Sequence, residues 1–325
     1  MSSSRGFSWV ALSLLVFIVV APAANGDDLS ARFYDKTCPN VQRVVRSVMA
    51  RKVACEPRMG PAVLRLFFHD CFVNGCDGSV LLDATPFSGS EKDALPNSSL
   101  AGFEVIDEIK SLLEQDCPAT VSCADIVALA SRDAVTILGG PTWKVPLGRK
   151  DSRFAADKDT TEKSLPTPDD YLGDLIAMFE KLGLDAHDMT VLSGAHTVGM
   201  ASCENYKDRA YSSNDDADID PYFADTVRKT CEGPSGDAGK APFDAQTPMR
   251  FDNAYYRELI ARRGLLTSDH VLYGGDGVQD NLVEMYSADG EAFAGDFAKA
   301  MVKMGNIYPP KGMPVEVKLK CSMAN

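Results

Sequence analysis

The segment from Arg65 to Asp83 reads RLFFHDCFVNGCDGSVLLD and carries most of the information about this chain. Its first half is apolar, and Arg65 precedes His69 by four residues, so a helix would place the guanidinium group and the imidazole ring on one face. A fixed cation beside a proton acceptor suits chemistry in which a bound anion loses a proton and its charge is then stabilised. Taken alone, this half favours a simpler alternative, an ordinary helix face with a salt-bridged arginine and a core histidine.

The second half of the segment carries two cysteines five residues apart, which can close a tight loop. Carboxylates, a hydroxyl group and backbone carbonyls follow one another there at short spacing, and these are the ligands that Ca²⁺ prefers. The spacing differs from that of an EF-hand. The loop therefore predicts a calcium site with candidate ligands Asp70, Val73, Gly75, Asp77 and Ser79.

A second histidine motif, LSGAHTVG, runs from Leu192 to Gly199, and the chain has only four histidines in all. The small residues before His196 would let a flat cofactor approach the backbone closely. Ser193 beside His196 suggests a hydrolase, but no GxSxG elbow occurs in the chain. The HExxH, complete GxGxxG and CxxCH motifs are also missing, which counts against a zinc protease, a nucleotide enzyme and a covalently attached c-type haem.

Apolar residues recur at helical spacing along the chain, and alternation of period two is scarce. The clearest helical stripes run from Val41 to Val48, Phe103 to Leu113, Leu172 to Leu182 and Phe293 to Met304. The best strand-like piece, residues 143–147, is interrupted by a proline. We therefore expect a mostly α-helical protein with long loops and little β-structure.

The first 26 residues have the pattern of a signal peptide, with Arg5 before an apolar run from Trp9 to Val20 and small residues before Asp27. The apolar run is too short to span a membrane comfortably. Removing this segment leaves 32 basic and 46 acidic residues, and such a surface repels nucleic acid and anionic membranes. Nine cysteines in a secreted chain indicate four disulfides and one unpaired thiol, with the pairing left open by the spacing.

Together the two histidine motifs resemble the distal and proximal haem motifs of the class III plant peroxidases. The likeness runs from about Phe33 to Cys321 and includes EKDA at residues 91–94, TVSCAD at 120–125 and PLGR at 146–149. Several long motifs in the same order make a chance match negligible. The resemblance implies the two-domain helical haem peroxidase fold over residues 27–325, with one haem between a distal half, roughly 27–165, and a proximal half, roughly 166–321.

The resemblance implies one non-covalent haem b, with His196 as the axial ligand of the iron and Asp269 as the acceptor of the other ring N–H. On the opposite side, His69 would take and return the proton of hydrogen peroxide, while Arg65 stabilises charge on the breaking O–O bond. Asn97 would hold His69 in the proton-accepting tautomer. Because an amide in that role is inaccessible, we expect no glycan on the sequon that Asn97 begins.

The implied reaction is the reduction of hydrogen peroxide and the oxidation of small phenolic donors in two one-electron steps through a ferryl intermediate. Phe68 would wall the iron from bulky substrates, and the carbonyl of Pro166 would help to hold aromatic donors. We expect a monomer without nucleic-acid or membrane partners, located in the extracellular space or cell wall, because little sequence follows Cys321. A secreted haem- and calcium-binding wall protein with little catalysis is the alternative, and the intact Arg65, His69 and Asn97 disfavour it.

Two calcium ions and four disulfides are implied in the same way. The distal calcium ligands would be Asp70, Val73, Gly75, Asp77 and Ser79, with Glu91 through water, and the proximal ligands Thr197, Asp244, Thr247, the carbonyl of Arg250, and Asp252. The implied disulfides are Cys38–Cys117, Cys71–Cys76, Cys123–Cys321 and Cys203–Cys231. Cys55 has no implied partner, and we expect it to be a small buried apolar residue.

Overall fold

The structure is a computed structural model that describes residues 29–86, 88–212, 219–275 and 277–325. The predicted signal peptide, residues 1–26, lies outside the described residues. The helices are α1 Val41–Cys55, α2 Met59–Asn74, α3 Phe103–Asp116, α4 Cys123–Ile137, α5 Lys158–Ser164, α6 Leu172–Lys181, α7 Ala186–Ser193, α8 Lys207–Tyr211, α9 Pro221–Glu232, α10 Ala254–Ile260, α11 Thr267–His270, α12 Val278–Ala288 and α13 Gly290–Gly305. The prediction of a mostly helical fold is confirmed.

The β-structure of the described residues is limited to two short antiparallel ladders. Strands β1 (Asp151–Ser152) and β4 (Val315–Glu316) form one ladder, and β2 (Met200–Ser202) and β3 (Lys240–Pro242) form the other. The strand-like piece at residues 143–147 makes only an isolated bridge, through Leu147. Short 3₁₀ helices lie at Ser79–Leu81, Glu91–Asp93, Leu95–Asn97, Gly194–Thr197, Cys203–Asn205 and Gly236–Ala238.

Helix α4 is the central element of the first half and packs against α1, α2 and α3. Every residue from Cys123 to Val135 is buried, so this helix is surrounded by protein on all sides. The Ser122 hydroxyl group accepts a hydrogen bond from the Asp125 amide at 3.2 Å, which satisfies one of the free N–H groups at the helix start. Helix α2 lies along α4, and this packing fixes the direction in which Arg65 and His69 point.

In the second half, α7 packs against α6, α12 and α13, and α10 packs against α12. Aromatic rings from α10, α12 and α13 fill the space between them, including Tyr256, Tyr286 and Phe293. Helix α7 begins with a capping box, because the side chains of Asp185 and Asp188 each accept from the other's backbone amide. One apolar core contains residues from both halves of the chain.

The structure contains four disulfides in the described residues: Cys38–Cys117, Cys71–Cys76, Cys123–Cys321 and Cys203–Cys231. The expectation that Cys55 is buried is wrong, because its thiol is exposed. Cys55 is the last residue of α1, and Val53 is the last buried position of that helix, so the chain has already turned towards solvent. Among the described residues, no helix is both long enough and apolar enough to cross a membrane.

Candidate active site and calcium sites

Helix α2 brings Arg65 and His69 into contact, as their four-residue spacing predicts. The Nε of Arg65 donates to Nε2 of His69 at 3.1 Å. The other guanidinium nitrogens donate to the Ser99 hydroxyl group at 2.9 Å and to the Pro96 carbonyl at 2.8 Å. The segment between Pro96 and Ser99 therefore holds the guanidinium group in one orientation beside the imidazole ring.

Asn97 orients His69 from the other side of the ring. Its Nδ2 donates to the Glu91 carbonyl at 2.9 Å, which leaves Oδ1, 2.6 Å from Nδ1 of His69, as the acceptor of the ring N–H. The proton therefore lies on Nδ1, and Nε2 carries the lone pair. Burial and the charge of Arg65 lower the pKa of His69 to about 3, so the ring is neutral at physiological pH.

His196 lies in the 3₁₀ turn that follows α7, and a buried carboxylate fixes its ring. Its Nδ1 is 2.7 Å from Oδ1 of Asp269, and Phe243 stacks on the ring with centroids 4.0 Å apart. Asp269 also accepts from the Tyr255 hydroxyl group at 2.9 Å and from the Leu266 amide at 3.1 Å. Burial raises the pKa of Asp269, but the charge of His196 and these hydrogen bonds outweigh it and lower the pKa. The carboxylate is therefore ionised.

The small residues before His196 serve the packing of the protein. A Cβ on Gly194 would lie 2.4 Å from the hydroxyl oxygen of Tyr256 and 2.5 Å from the Phe293 ring, so close helix packing requires glycine here. The Ser193 hydroxyl group donates to the Met189 carbonyl at 2.9 Å and is occupied within its own helix. The hydrolase alternative therefore loses its nucleophile.

The donor set at His196 fits a haem iron. Among the described residues, Nε2 of His196 has no hydrogen-bond partner, whereas Nδ1 is held by an ionised carboxylate that makes the ring more electron-rich. The ring is a third exposed, so protein does not enclose that nitrogen. An imidazole with one ring nitrogen free of hydrogen bonds is the form in which histidine binds a haem iron.

The two predicted substrate residues, Phe68 and Pro166, lie in different parts of the chain. Phe68 packs edge-on against the His69 ring, with centroids 5.4 Å apart. Pro166 is half-buried in a loop whose Pro168 carbonyl accepts from the Ser268 amide at 2.9 Å, and this ties the loop to α11 beside Asp269. The structure thus places Phe68 beside His69 and ties the loop of Pro166 to the helix that carries Asp269.

The predicted distal calcium ligands form a cluster of buried oxygens. Within the described residues, no hydrogen bond reaches either carboxylate oxygen of Asp70, Oδ2 of Asp77, the hydroxyl group of Ser79 or Oε2 of Glu91. Burial raises the pKa of Asp70 well above its usual range and that of Asp77 to about 7. Buried charges without a partner are costly, so a hard cation that takes oxygen ligands fits this cluster.

Local geometry explains why the distal oxygens converge. Gly75 ends α2 with φ +83°, and a Cβ there would lie 2.5 Å from the Tyr308 backbone. The Cys71–Cys76 disulfide closes the turn. The Glu91 carboxylate accepts from the Ala156 amide at 2.9 Å through its other oxygen, which leaves Oε2 facing the cluster.

The proximal set also converges. The Thr247 hydroxyl group lies 2.9 Å from Oδ2 of Asp244 and 3.1 Å from both carboxylate oxygens of Asp252, and the Thr197 hydroxyl group lies 3.4 Å from each carboxylate. The β2–β3 ladder brings the two chain segments together. The Arg250 side chain is largely exposed, and its Nε lies 3.7 Å from Oδ2 of Asp252, so its charge pairs with this carboxylate from the solvent side. The chemistry of this set also suits calcium.

Several contacts of the site could not be found from sequence motifs. Phe243 stacks on His196 although 47 residues separate them, because the β2–β3 ladder aligns their segments. Lys318 is buried and donates to the Gly78 carbonyl at 2.8 Å, next to the distal calcium cluster. No local pattern around either residue signals these contacts.

A helical protein that holds one histidine on a buried carboxylate and another between an amide and an arginine has the arrangement of a haem peroxidase. The family model for peroxidase matches residues 41–289, and the chain belongs to the peroxidase family. It is 48% identical to Peroxidase 2 of Oryza sativa subsp. japonica over 98% of this chain and 99% of that protein. It is 46% identical to Peroxidase 67 of Arabidopsis thaliana, covering 96% and 98% of the two chains.

A further relative is the lignin-forming anionic peroxidase of Nicotiana sylvestris, which is 48% identical over 91% of each chain. The chain is therefore an enzyme of the peroxidase class, and its family implies a haem cofactor, hydrogen peroxide and a reducing substrate.

Proposed function

We propose that the protein is a secreted peroxidase with one non-covalent haem b, which reduces hydrogen peroxide and withdraws single electrons from small phenolic donors. The observation that carries this proposal is that two imidazole rings are each held by a hydrogen bond at Nδ1. Each has Nδ1 held, His69 by Asn97 and His196 by Asp269, so that each presents Nε2 for a different task. The relationship to a lignin-forming relative supports phenolic donors.

When bound, the haem would supply the redox chemistry of its iron. His196 would hold it through Nε2, and the ionised Asp269 keeps that nitrogen basic. On the distal side, neutral His69 accepts a peroxide proton at Nε2 and later returns it to the leaving oxygen. Arg65 stabilises the negative charge that develops between the peroxide oxygens. Phe68 limits access, and the carbonyl of Pro166 accepts a hydrogen bond from the donor.

We also propose two calcium ions. The distal ion takes oxygens of Asp70, Val73, Gly75, Asp77 and Ser79, with Glu91 through water, and the proximal ion takes Thr197, Asp244, Thr247, the Arg250 carbonyl and Asp252. We propose that the chain has a distal half and a proximal half that meet near residue 165, and that residues of both halves would hold the haem. We propose a monomer that acts in the extracellular space or cell wall, without membrane or nucleic-acid partners. The acidic composition supports the absence of nucleic-acid and anionic-membrane partners, because like charges repel.

The test is an absorption spectrum of the purified protein with calcium and haem, followed by one equivalent of peroxide. We expect a ferric Soret band that shifts with peroxide and recovers with guaiacol. His69→Ala should bind haem normally but react with peroxide about 10²–10⁴-fold more slowly, the usual contribution of a positioned acid–base group. Ser193→Ala is the control and should behave like the wild type. A protein that folds with calcium but binds no haem would overturn the proposal.

A further inference from the structure

A row of aromatic rings leads from His196 through the protein to the surface. The ring of Tyr255 lies 6.1 Å from that of His196, measured between centroids. Tyr256 follows at 5.2 Å, and Tyr286 at a further 5.1 Å. The last step, 6.3 Å, reaches the ring of His187, which is exposed to solvent. We call these three tyrosines the tyrosine row.

The position of the row is fixed by packing. All three tyrosine side chains are almost fully buried. Tyr255 donates to Asp269 at 2.9 Å, and Tyr256 donates to the Thr190 carbonyl at 3.1 Å. Gly194 packs directly under the Tyr256 hydroxyl group. Electron tunnelling falls steeply with distance, so fixed rings in successive contact give a far better path than the surrounding aliphatic core.

Tyr286 differs from the other two tyrosines because its hydroxyl group contacts side chains at the protein surface that can accept its proton. It donates to Oδ2 of Asp296 at 3.0 Å and lies 3.0 Å from Nε2 of His187. Hydrogen bonding from Lys299 lowers the pKa of Asp296, so the carboxylate is ionised and can accept a proton. A phenol that is oxidised by one electron becomes strongly acidic, so an adjacent base makes its oxidation much easier.

We propose that the tyrosine row is an electron relay and that Tyr286 is its redox-active terminus, which supplies an electron to the haem site when no small donor is bound. This inference rests on the proposed function, since the peroxide reaction supplies the oxidising equivalent. One electron leaves Tyr286 and passes through Tyr256 and Tyr255 to the His196 side of the site. The phenolic O–H bond of Tyr286 breaks, its proton moves to Asp296, and a neutral tyrosyl radical results.

The relay returns to its starting state when a one-electron reductant, such as a phenol in solution, donates at the surface beside His187. The electron reduces the tyrosyl radical, and the proton returns from Asp296 to re-form the O–H bond. The row therefore gives the enzyme a second place at which a donor is oxidised. When the donor is scarce, the row also lets Tyr286 reduce the haem site by one electron.

Other aromatic routes out of this region are less suitable. Among the described residues, the aromatic path from Trp143 to Tyr256 runs through Phe297 and Phe293, with centroid distances of 6.3, 5.6 and 5.1 Å. A phenylalanine ring is much harder to oxidise than a phenol and has no proton to release. The Trp143 route therefore contains two poor relays, and the tyrosine row contains none.

The test is freeze-quench electron paramagnetic resonance of the haem-loaded protein after peroxide addition without a donor. We expect an organic radical signal that narrows when the protein is made with ring-deuterated tyrosine. Tyr286→Phe keeps the ring but removes the phenol, and the signal should fall to background. Asp296→Asn should reduce the signal in part, because it replaces the proton acceptor. Tyr222→Phe removes an exposed tyrosine without a ring contact to the row, and it should leave the signal unchanged.

Peroxide consumption and the Soret spectrum are recorded on the same samples. If the wild type neither binds haem nor consumes peroxide, the proposed function fails and the relay fails with it. If the wild type consumes peroxide but Tyr286→Phe keeps the full radical signal, or deuterated tyrosine leaves the line width unchanged, the relay alone is overturned. A normal Soret band and guaiacol rate in Tyr286→Phe show that the variant is folded.

Discussion

At the scale of single residues, Asn97 uses both ends of its amide to set the tautomer of His69. Asn97→Ala removes the acceptor for Nδ1–H, so the ring can turn or exchange tautomers, and Nε2 is no longer held free for the peroxide proton that we propose it accepts. We expect the rate of reaction with peroxide to fall by about 10- to 100-fold, which is typical when an orienting partner is lost. Stopped-flow absorption at the Soret band measures this rate.

Ser98→Ala is the matched control for Asn97→Ala. Its hydroxyl group donates to the Leu95 carbonyl at 2.8 Å and does not contact the imidazole ring. This variant should react at the wild-type rate. Haem binding should be normal in both variants, because His196 lies in a different segment. A peroxide rate in Asn97→Ala within twofold of the wild type would mean that Asn97 does not orient His69.

The sequence predicts side chains that are close along one helix or one loop, but it does not predict contacts between distant segments. The four-residue spacing of Arg65 and His69 predicts their contact correctly. No pattern predicts that Ser99 and Pro96 bind the same guanidinium group, because that contact depends on how the loop before α3 folds back. For Cys55 the prediction is wrong. It relies on the general tendency of unpaired cysteines to be buried, and that tendency takes no account of the place of Cys55 at the end of a helix.

At the scale of helices, Arg149 joins α4 to the end of α13. Its side chain is buried and donates to Asp125 at 2.8 Å and to the Gly305 carbonyl at 3.0 and 2.6 Å. Arg149→Met keeps the volume but leaves the buried Asp125 carboxylate without its cation. We expect the free energy of unfolding to fall by about 3–5 kcal/mol, the usual cost of breaking a buried ion pair. Urea unfolding followed by circular dichroism measures it.

Arg153→Met tests whether the loss of unfolding free energy in Arg149→Met depends on the burial of the ion pair. Arg153 also pairs with an acid, Glu316 at 3.4 Å, but nearly half of its side chain is exposed. Exposed ion pairs contribute about 0–1 kcal/mol, so this variant should be almost as stable as the wild type. Equal losses in Arg149→Met and Arg153→Met would show that burial of the Asp125 pair is unimportant.

The helices with one apolar face were predictable from sequence, and the fully buried helix was not. Stripes at helical spacing gave α1, α3, α6 and α13 because each buries one face and exposes the other. Helix α4 is buried on every side, including polar residues such as Ser131, Arg132 and Asp133, and an apolar stripe does not predict burial of the polar side. Short helices such as α11 depend on tertiary contacts, here the carboxylate of Asp269, and propensity alone does not reveal them.

At the scale of the whole molecule, the proposed distal calcium ion would connect stability to pH. In calcium-free protein the buried oxygens of Asp70, Asp77 and Glu91 face one another, and burial raises the pKa of each carboxyl group. A carboxyl group whose pKa is higher in the folded than in the unfolded state binds protons preferentially when folded. The calcium-free protein therefore loses stability as the pH rises from about 4 towards about 7, and the proposed calcium ion would remove this loss by pairing with the charges.

We expect calcium removal by dialysis to lower the melting temperature more at pH 8 than at pH 5.5. One carboxyl group with a pKa near 7 contributes about 2 kcal/mol to that difference, since each pKa unit corresponds to about 1.4 kcal/mol. Scanning calorimetry of calcium-free and calcium-saturated protein at both pH values measures it, and the calcium-saturated samples remove the pH effects of other groups. Asp77→Asn should reduce the difference in calcium-free protein, because the amide carries no charge. An equal loss at both pH values would mean that the buried carboxylates are not the groups that calcium neutralises.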